Sequence, residues 1–164
     1  MRIHPTTADD RAALKAVRLA ALFDAPTAFG VSHATAAAYD DAQWRERASG
    51  AAGPRFWLAI DADGRPVGMA GGGVDRHGDY NLIGMWVSAA HRGSAAATLL
   101  VRAVLAHART LGHARVVLDV APDNLRAAGF YRRQGFAFID AWEPLASHPH
   151  IRVQKMAWPA PVPA

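Results

Sequence analysis

Cysteine is absent from the 164 residues. That single absence removes disulfides, thiolate zinc sites, iron–sulfur clusters and a cysteine nucleophile together. No stretch approaches the roughly 20 apolar residues that span a bilayer, and Met1 to Asp10 lacks the apolar run of a signal peptide. The expectation is a soluble, cytoplasmic protein with no membrane partner. Neither a Gly-Lys-Ser/Thr phosphate loop nor a G-x-G-x-x-G dinucleotide fingerprint occurs. There is no internal repeat and no low-complexity linker. Charged residues make up only 20% of the chain, and the basic ones are scattered with no aromatic-interleaved patch, which argues against nucleic acid as the partner.

Hydrophobic residues, by contrast, reach 51%, enough for a packed core and too many for general disorder. At roughly 100–200 residues per domain the length predicts one domain, here placed over residues 1–158, with the proline-rich end 159–164 as a flexible tail. The formal charge of +4 favours an anionic ligand without identifying it.

Arg2 to Thr6 reads as a strand, and Thr7 to Asp10 carries N-cap chemistry before an Ala/Leu-rich helix ending near Ala25-Pro26. A second helix is expected from about Ser32 to Ser49, with Ala37, Asp41, Trp44 and Ala48 near one stripe. Phe56–Ile60 and Pro66–Gly71 flank the turn Asp61-Ala62-Asp63-Gly64 and read as antiparallel strands. Tyr80–Val87 is almost wholly apolar, as in a strand covered on both faces. Ala95–Leu111 returns to helical period, with Leu100, Val104, Ala108 and Leu111 on one stripe. Arg115–Val120 is a β-branched strand, Pro122-Asp123-Asn124 opens a short helix that Gly135 closes, and Phe136–Trp142 and Ile151–Trp158 are final strands. The loop between those last two includes Ser147-His148-Pro149-His150. The order describes an α/β domain with a mixed sheet.

The most informative segment runs Val87-Ser88-Ala89-Ala90-His91-Arg92-Gly93-Ser94-Ala95-Ala96-Ala97. Small residues let a ligand approach the backbone, and the first amides of a helix lack intrahelical acceptors and carry positive partial charge. Such a place binds phosphate. The plainer reading is that three alanines begin a good helix.

This segment, with Leu99-Leu100 after it, resembles the pyrophosphate-binding motif of the GNAT superfamily of acetyl-CoA-dependent N-acetyltransferases. Downstream, Leu118-Asp119-Val120 followed by Asn124, Ala127, Tyr131, Gly135 and Phe136 has the spacing of the same superfamily's strand–helix signature, ending in Tyr-x-x-x-Gly-Phe. The element order matches over essentially the whole length. Ala95 stands where the family usually has a loop glycine and Ala89 where many members have proline. No carboxylate lies between Tyr80 and Val87. Alanine suits position 95 if its φ is helical.

The resemblance implies a sheet of about seven strands flanked by about four helices. It implies acetyl-CoA as cosubstrate, no metal, and acetyl transfer to a primary amine of a small molecule or protein by direct attack in a ternary complex. The alternative on the same fold is a non-catalytic coenzyme A sensor or interaction domain. Carried over, the backbone of Met85, Trp86 and Val87 would pair with the pantetheine. Amides of Arg92, Gly93, Ser94, Ala95, Ala96 and Ala97 would hold the pyrophosphate, with the Arg92 side chain adding charge. Asn124 would bond the pantetheine arm, or simply cap its helix. Tyr131 would protonate the departing sulfur, its phenol near 10 outlasting a thiol near 8.5; packing beside Phe130 is its plain alternative. The general base is open among Asp119, Asp140, Glu143, His148 and His150, with a water chain as substitute. Arg132-Arg133 would meet the 3′-phosphate or a solvated helix end. By analogy the acceptor walls would be Asp24–Ala38 and Glu143–Arg152. The final strands would offer an edge for a homodimer. Trp44, Trp57, Trp142 and Trp158 are read as packing residues.

Overall fold

The computed structural model describes residues 1–160. One seven-stranded sheet in the order β1-β2-β3-β4-β5-β7-β6 organises it. The strands are β1 (Arg2–Pro5), β2 (Arg55–Ile60), β3 (Pro66–Val74), β4 (Tyr80–Val87), β5 (Val116–Val120), β6 (Ala137–Leu145) and β7 (His148–Trp158). The helices are α1 (Arg11–Asp24), α2 (His33–Ala37), α3 (Asp41–Ser49), α4 (Ala96–Thr110) and α5 (Leu125–Arg133). The β4–β5 pair is parallel and every other pair antiparallel, so the sheet is mixed.

Two apolar layers hold it. On one face Leu14, Val17, Ala21 and Leu22, spaced as one stripe of α1, pack with Trp44 of α3 and Phe56, Leu58, Ile60 and Met69 of the sheet. On the other face Leu100, Val101, Val104, Leu105 and Ala108 of α4 pack with Tyr131 and Phe136 over Trp57, Tyr80, Leu82, Leu118 and Met156. The first turn is locked by Asp10, whose carboxylate accepts from the Thr7 amide at 2.7 Å and lies 2.9 Å from the His4 ring.

Several expectations need correction. The helix expected over Ser32–Ser49 is two helices, which raises the helix number to five. Asp40 breaks it by capping a fresh start, accepting from the Gln43 amide at 2.8 Å while Gln43 reaches back to the Asp40 amide. Ala36, not Ala37, is therefore buried, and Asp41 faces Arg11 at 2.9 Å instead of the core. The expected α4 stripe stops at Ala108: Leu111 is 57% exposed, because the helix has ended before Gly112 turns the chain at φ 84. The loop expected around His148-Pro149-His150 is strand, since β7 begins at His148 and only Ala146 and Ser147 separate it from β6. Tyr80–Val87 is fully buried only at Tyr80, Leu82 and Val87, and Ile83 to Trp86 are part-exposed. Of the expected tail, the Ala160 amide donates to the Gly135 carbonyl at 2.8 Å, and residues 161–164 lie outside the described residues.

Glycine at 71, 72 and 73 of β3 admits large neighbours. A Cβ on Gly72 would stand 2.5 Å from the Tyr80 hydroxyl and 2.6 Å from its ring. Gly72→Ala is expected to lower unfolding free energy by about 1–3 kcal/mol through overpacking, read from urea midpoints at constant m. Tyr80→Phe, which removes a buried hydroxyl with no hydrogen-bond partner, is expected to leave stability unchanged or raise it.

Candidate functional site

The site begins where the central parallel strands part. β4 and β5 are in register only at Tyr80↔Val116 and Asn81↔Val117; beyond these two pairs each strand edge is open. The cause lies within β4. Against β3, Ile83 faces Gly71 and Trp86 faces Met69, so Gly84 and Met85 together oppose Ala70. This is a bulge, and Gly84 adopts φ 60 to make it. Ile83 and Trp86 thereby share the α1 face while Met85 turns to the α4 face. A glycine inside an apolar strand is a readable bulge signal, and it was the feature that the sequence reading passed over.

From the open end of β4 the chain runs through a short 3-10 turn at Ala89–His91 to Gly93 at φ 82 and then into α4. Ala95 has φ −70, helical as an alanine there requires. The turn is held by the Ser88 amide on the Val67 carbonyl at 2.8 Å, the Ser88 hydroxyl beside His91 Nδ1 at 2.9 Å, and the Ser94 hydroxyl on the His91 carbonyl at 2.6 Å. The Ala96 amide donates to the Ser94 hydroxyl. The amides of Gly93, Ala95, Ala97 and Thr98 have no intrachain backbone acceptor among the described residues. They cluster at the positive end of a 15-residue helix, an arrangement that binds oxyanions.

Arg92 turns its side chain back into the protein. Its Nε donates to the Val87 carbonyl at 3.1 Å, and its Nη2 reaches Asp24 at the end of α1. The same Asp24 oxygen accepts from the Trp86 indole at 3.0 Å. The Trp86 and Arg92 hydrogen bonds hold this carboxyl below its usual range. The guanidinium expected to face a diphosphate is thus engaged in pinning α1 to β4 and the loop.

Across the fork, Tyr131 lies on the inner face of α5 with 9% exposure, between Phe130 and Phe136 at centroid separations of 5.1 and 5.7 Å. Burial alone pushes its phenol upward, with no hydrogen-bonded partner contributing. Asn124 caps α5, its side chain accepting from the Ala127 amide at 3.2 Å. Arg132 stacks over the Phe138 ring and Arg133 is exposed.

Of the five base candidates, the structure brings Asp119 and Glu143 together on one lysine and His148 and His150 together at a hairpin, and leaves Asp140 apart. Asp119 and Glu143 both accept from the Lys155 ammonium, at 2.9 and 3.0 Å, and Glu143 also meets Arg76 at 3.0 Å. Lys155 is only 7% exposed; a lysine amid the apolar residues of β7 was its legible sign. The Lys155 hydrogen bond, more than burial opposes it, holds Glu143 below the ordinary carboxyl range. Burial draws the Lys155 ammonium down, but its two carboxylate bonds outweigh that and set it above its ordinary value. Glu143, held ionised in this way, is a poor proton acceptor, and the Asp119 carboxylate is engaged by the same ammonium. Asp140 is exposed at an edge strand. His148 stands beside the Ser147 hydroxyl at 2.9 Å and edge-on to His150. That hairpin tip docks on the segment after α1: the Ser147 hydroxyl donates to the Phe29 carbonyl at 2.6 Å. The two segments named as acceptor walls are therefore in contact.

A family model described as the acetyltransferase (GNAT) family matches residues 19–136. Two curated human proteins, N-acetyltransferase 8B and N-acetyltransferase 8, are 36% and 33% identical to this chain over 103 and 105 residues. Those matches cover 57% and 58% of this chain and 45% and 46% of the relatives, so the chain spans about half their length. Among solved structures, a GCN5-related N-acetyltransferase from Kribbella flavida aligns with TM-score 0.73 at 21% identity, over 96% of each chain. A ribosomal-protein-alanine N-acetyltransferase from Brucella melitensis aligns with TM-score 0.75 at 18% identity, over 96% of this chain and 98% of its own. These likenesses share the fold described above.

The triad of Lys155, Asp119 and Glu143 has a defined pH window. Glu143, depressed below its ordinary 4.5, stabilises fully above that pH and loses its contribution as pH falls through the lower folded value. Lys155, raised above 10.5, stabilises fully below that pH and loses its contribution as pH rises through the folded value. Lys155→Met is expected to cost about 1–3 kcal/mol at pH 7, less than a fully buried pair would because both carboxylates are partly solvated. Glu143→Gln is expected to flatten the acid limb of stability between pH 5 and about 3, followed by denaturant melts.

Proposed function

The chain belongs to the GNAT family of acetyltransferases, and on that footing we propose that it binds acetyl-CoA across the β4–β5 fork and transfers the acetyl group to a primary amine by direct attack in a ternary complex. The observation that supports this most is the fork itself: two parallel strands that part after two residue pairs and open onto unpaired amides at the start of α4.

The residues present fit such a ligand. The open edge of Met85, Trp86 and Val87 presents main-chain groups of the kind an extended amide-bearing arm pairs with. The amides of Gly93, Ala95 and Ala97, with those of Arg92, Ser94 and Ala96 around them, form the turn for a diphosphate. In this reading Arg92 acts mainly by holding that turn in shape, and Asn124 couples the start of α5 to the same arm. Bound acetyl-CoA supplies a thioester, an acyl carbon open to attack with a thiolate leaving group.

The chain's own work is orientation and proton handling. The amine nitrogen forms the new bond to the acyl carbon as the carbon–sulfur bond breaks. Tyr131 then gives its phenolic proton to the sulfur. A phenol raised by burial keeps its proton at neutral pH and so is present as the donor; the phenolate left after transfer takes a proton from water, the same route by which the amine's proton departs. With Asp119 and Glu143 both tied to Lys155, the proton of the amine leaves through water or the amine binds neutral. That same neutralisation, with the lack of a carboxylate on β4, is what favours the second reading, a coenzyme A-binding domain without catalysis.

The two readings part on thiol release. Purified protein, acetyl-CoA and an amine panel are expected to liberate free coenzyme A, and Tyr131→Phe is expected to lower kcat about 10²–10⁴-fold with calorimetric coenzyme A affinity unchanged. Gly93→Val, strained at φ 82, is expected to weaken that affinity. Coenzyme A binding with no release on any amine would favour the sensor reading, and no binding heat would remove both.

A further inference from the structure

The most unusual cation in the molecule is Arg18, on the inner face of α1. Its guanidinium donates no hydrogen bond to any other described residue and forms no ion pair. Nη1 is sealed from solvent without a partner. Burial pulls the group's pKa down; Tyr39 works against that shift and Arg47, another cation, adds to it. The rest of the side chain is partly exposed, so the guanidinium is partly desolvated while its charge has no carboxylate partner among the described residues. A partly desolvated charge in that state is costly unless an anion completes it.

The location says what the anion belongs to. The guanidinium carbon lies 5.2 Å from the centre of the Phe29 ring, in the segment on which the β6–β7 tip docks. A Cβ on Gly84 would stand 3.0 Å from Arg18 Nη1. The same glycine that creates the bulge therefore also clears space for the arginine. Arg18 thus stands between the bulge, beside the backbone assigned above to the thioester arm, and the proposed acceptor wall.

We propose that Arg18 is the specificity-determining residue for an acceptor amine carrying a free carboxylate a few bonds from its nitrogen, of the amino-acid type, with the guanidinium fork holding that carboxylate between Phe29 and the Gly84 bulge. This rests on the acetyl-transfer reading for the identity of the pocket. Planar, bidentate recognition of a carboxylate is the task for which arginine is suited over lysine. It would also orient the amine relative to the open edge of β4.

The probes are N-acetylphenylalanine and N-acetylleucine against their carboxamides, titrated calorimetrically into the protein with and without coenzyme A. Transfer to phenylalanine is compared with transfer to phenylalaninamide. The acids are expected to bind about 10- to 100-fold more tightly than the amides. The same ratio should appear in kcat/KM. In Arg18→Met the ratio falls to about one while coenzyme A affinity holds; Arg18→Lys, charged but without the fork, retains a part. Thermal melts check folding, and Arg18→Gln replaces the methionine variant if that one does not fold. Equal binding of acid and amide by the unaltered protein, no binding of either acid, or a preference that survives Arg18→Met would each overturn the assignment. Absence of coenzyme A heat would instead remove the acetyl-transfer reading, and the acid–amide comparison without coenzyme A would still judge Arg18.

Discussion

The parting of β4 from β5 is the constraint from which the rest of the site follows. Parallel strands normally continue their ladder, because each unmade pair leaves an amide and a carbonyl needing partners. Here the ladder stops after Asn81 and Val117. The strand that leaves does so through a bulge only glycine adopts readily, with φ 60 at residue 84. Antiparallel neighbours on the outer sides, β3 for β4 and β7 for β5, keep each half of the sheet intact. The gap is therefore a stable feature of a packed protein, and it delivers open main chain directly to the start of α4.

Charge is distributed around that gap in a consistent way. Arg92 is tied to Asp24, Lys155 to Asp119 and Glu143, and Arg115 to Asp79. Arg92–Asp24, Lys155–Asp119 and Arg115–Asp79 join segments distant in sequence, tying the loop to α1, β7 to β5 and the start of β4 to that of β5, while Lys155–Glu143 ties β7 to its hairpin neighbour β6. The anion-binding capacity of the turn then comes from main-chain amides, whose direction is set by Gly93 and by the helix they begin. Arg18, over the Phe29 ring, has no carboxylate partner among the described residues.

Much of this was readable beforehand. The strands and helices were legible wherever apolar period and a stop signal agreed, as in Ala95–Leu111 with Gly112 or the short helix closed by Gly135. The loop from Val87 to Ala97 was legible because its chemistry is local: small residues, then a helix start. Misreadings fell where a local signal competed with itself. Asp40 lies within the stretch expected as one helix, yet it is an excellent cap, and its capping bonds to Gln43 prevailed. His148-Pro149-His150 looked like a loop because of its proline, yet at an outer hairpin a strand tolerates one.

What the sequence determined by itself is the set of segments and the chemistry of each: a small-residue turn opening a helix, a tyrosine four residues before a glycine, an Ala/Leu-rich first helix. Only the tertiary structure decided which groups are already satisfied. Glu143 and Asp119 share one lysine, Arg92 is bonded to a carboxylate from α1, and Arg18 Nη1 is buried with no hydrogen-bond partner among the described residues. The physical reason is that propensity and capping act over a few residues, whereas hydrogen-bond satisfaction and desolvation depend on groups brought together from 36, 68 or more positions away.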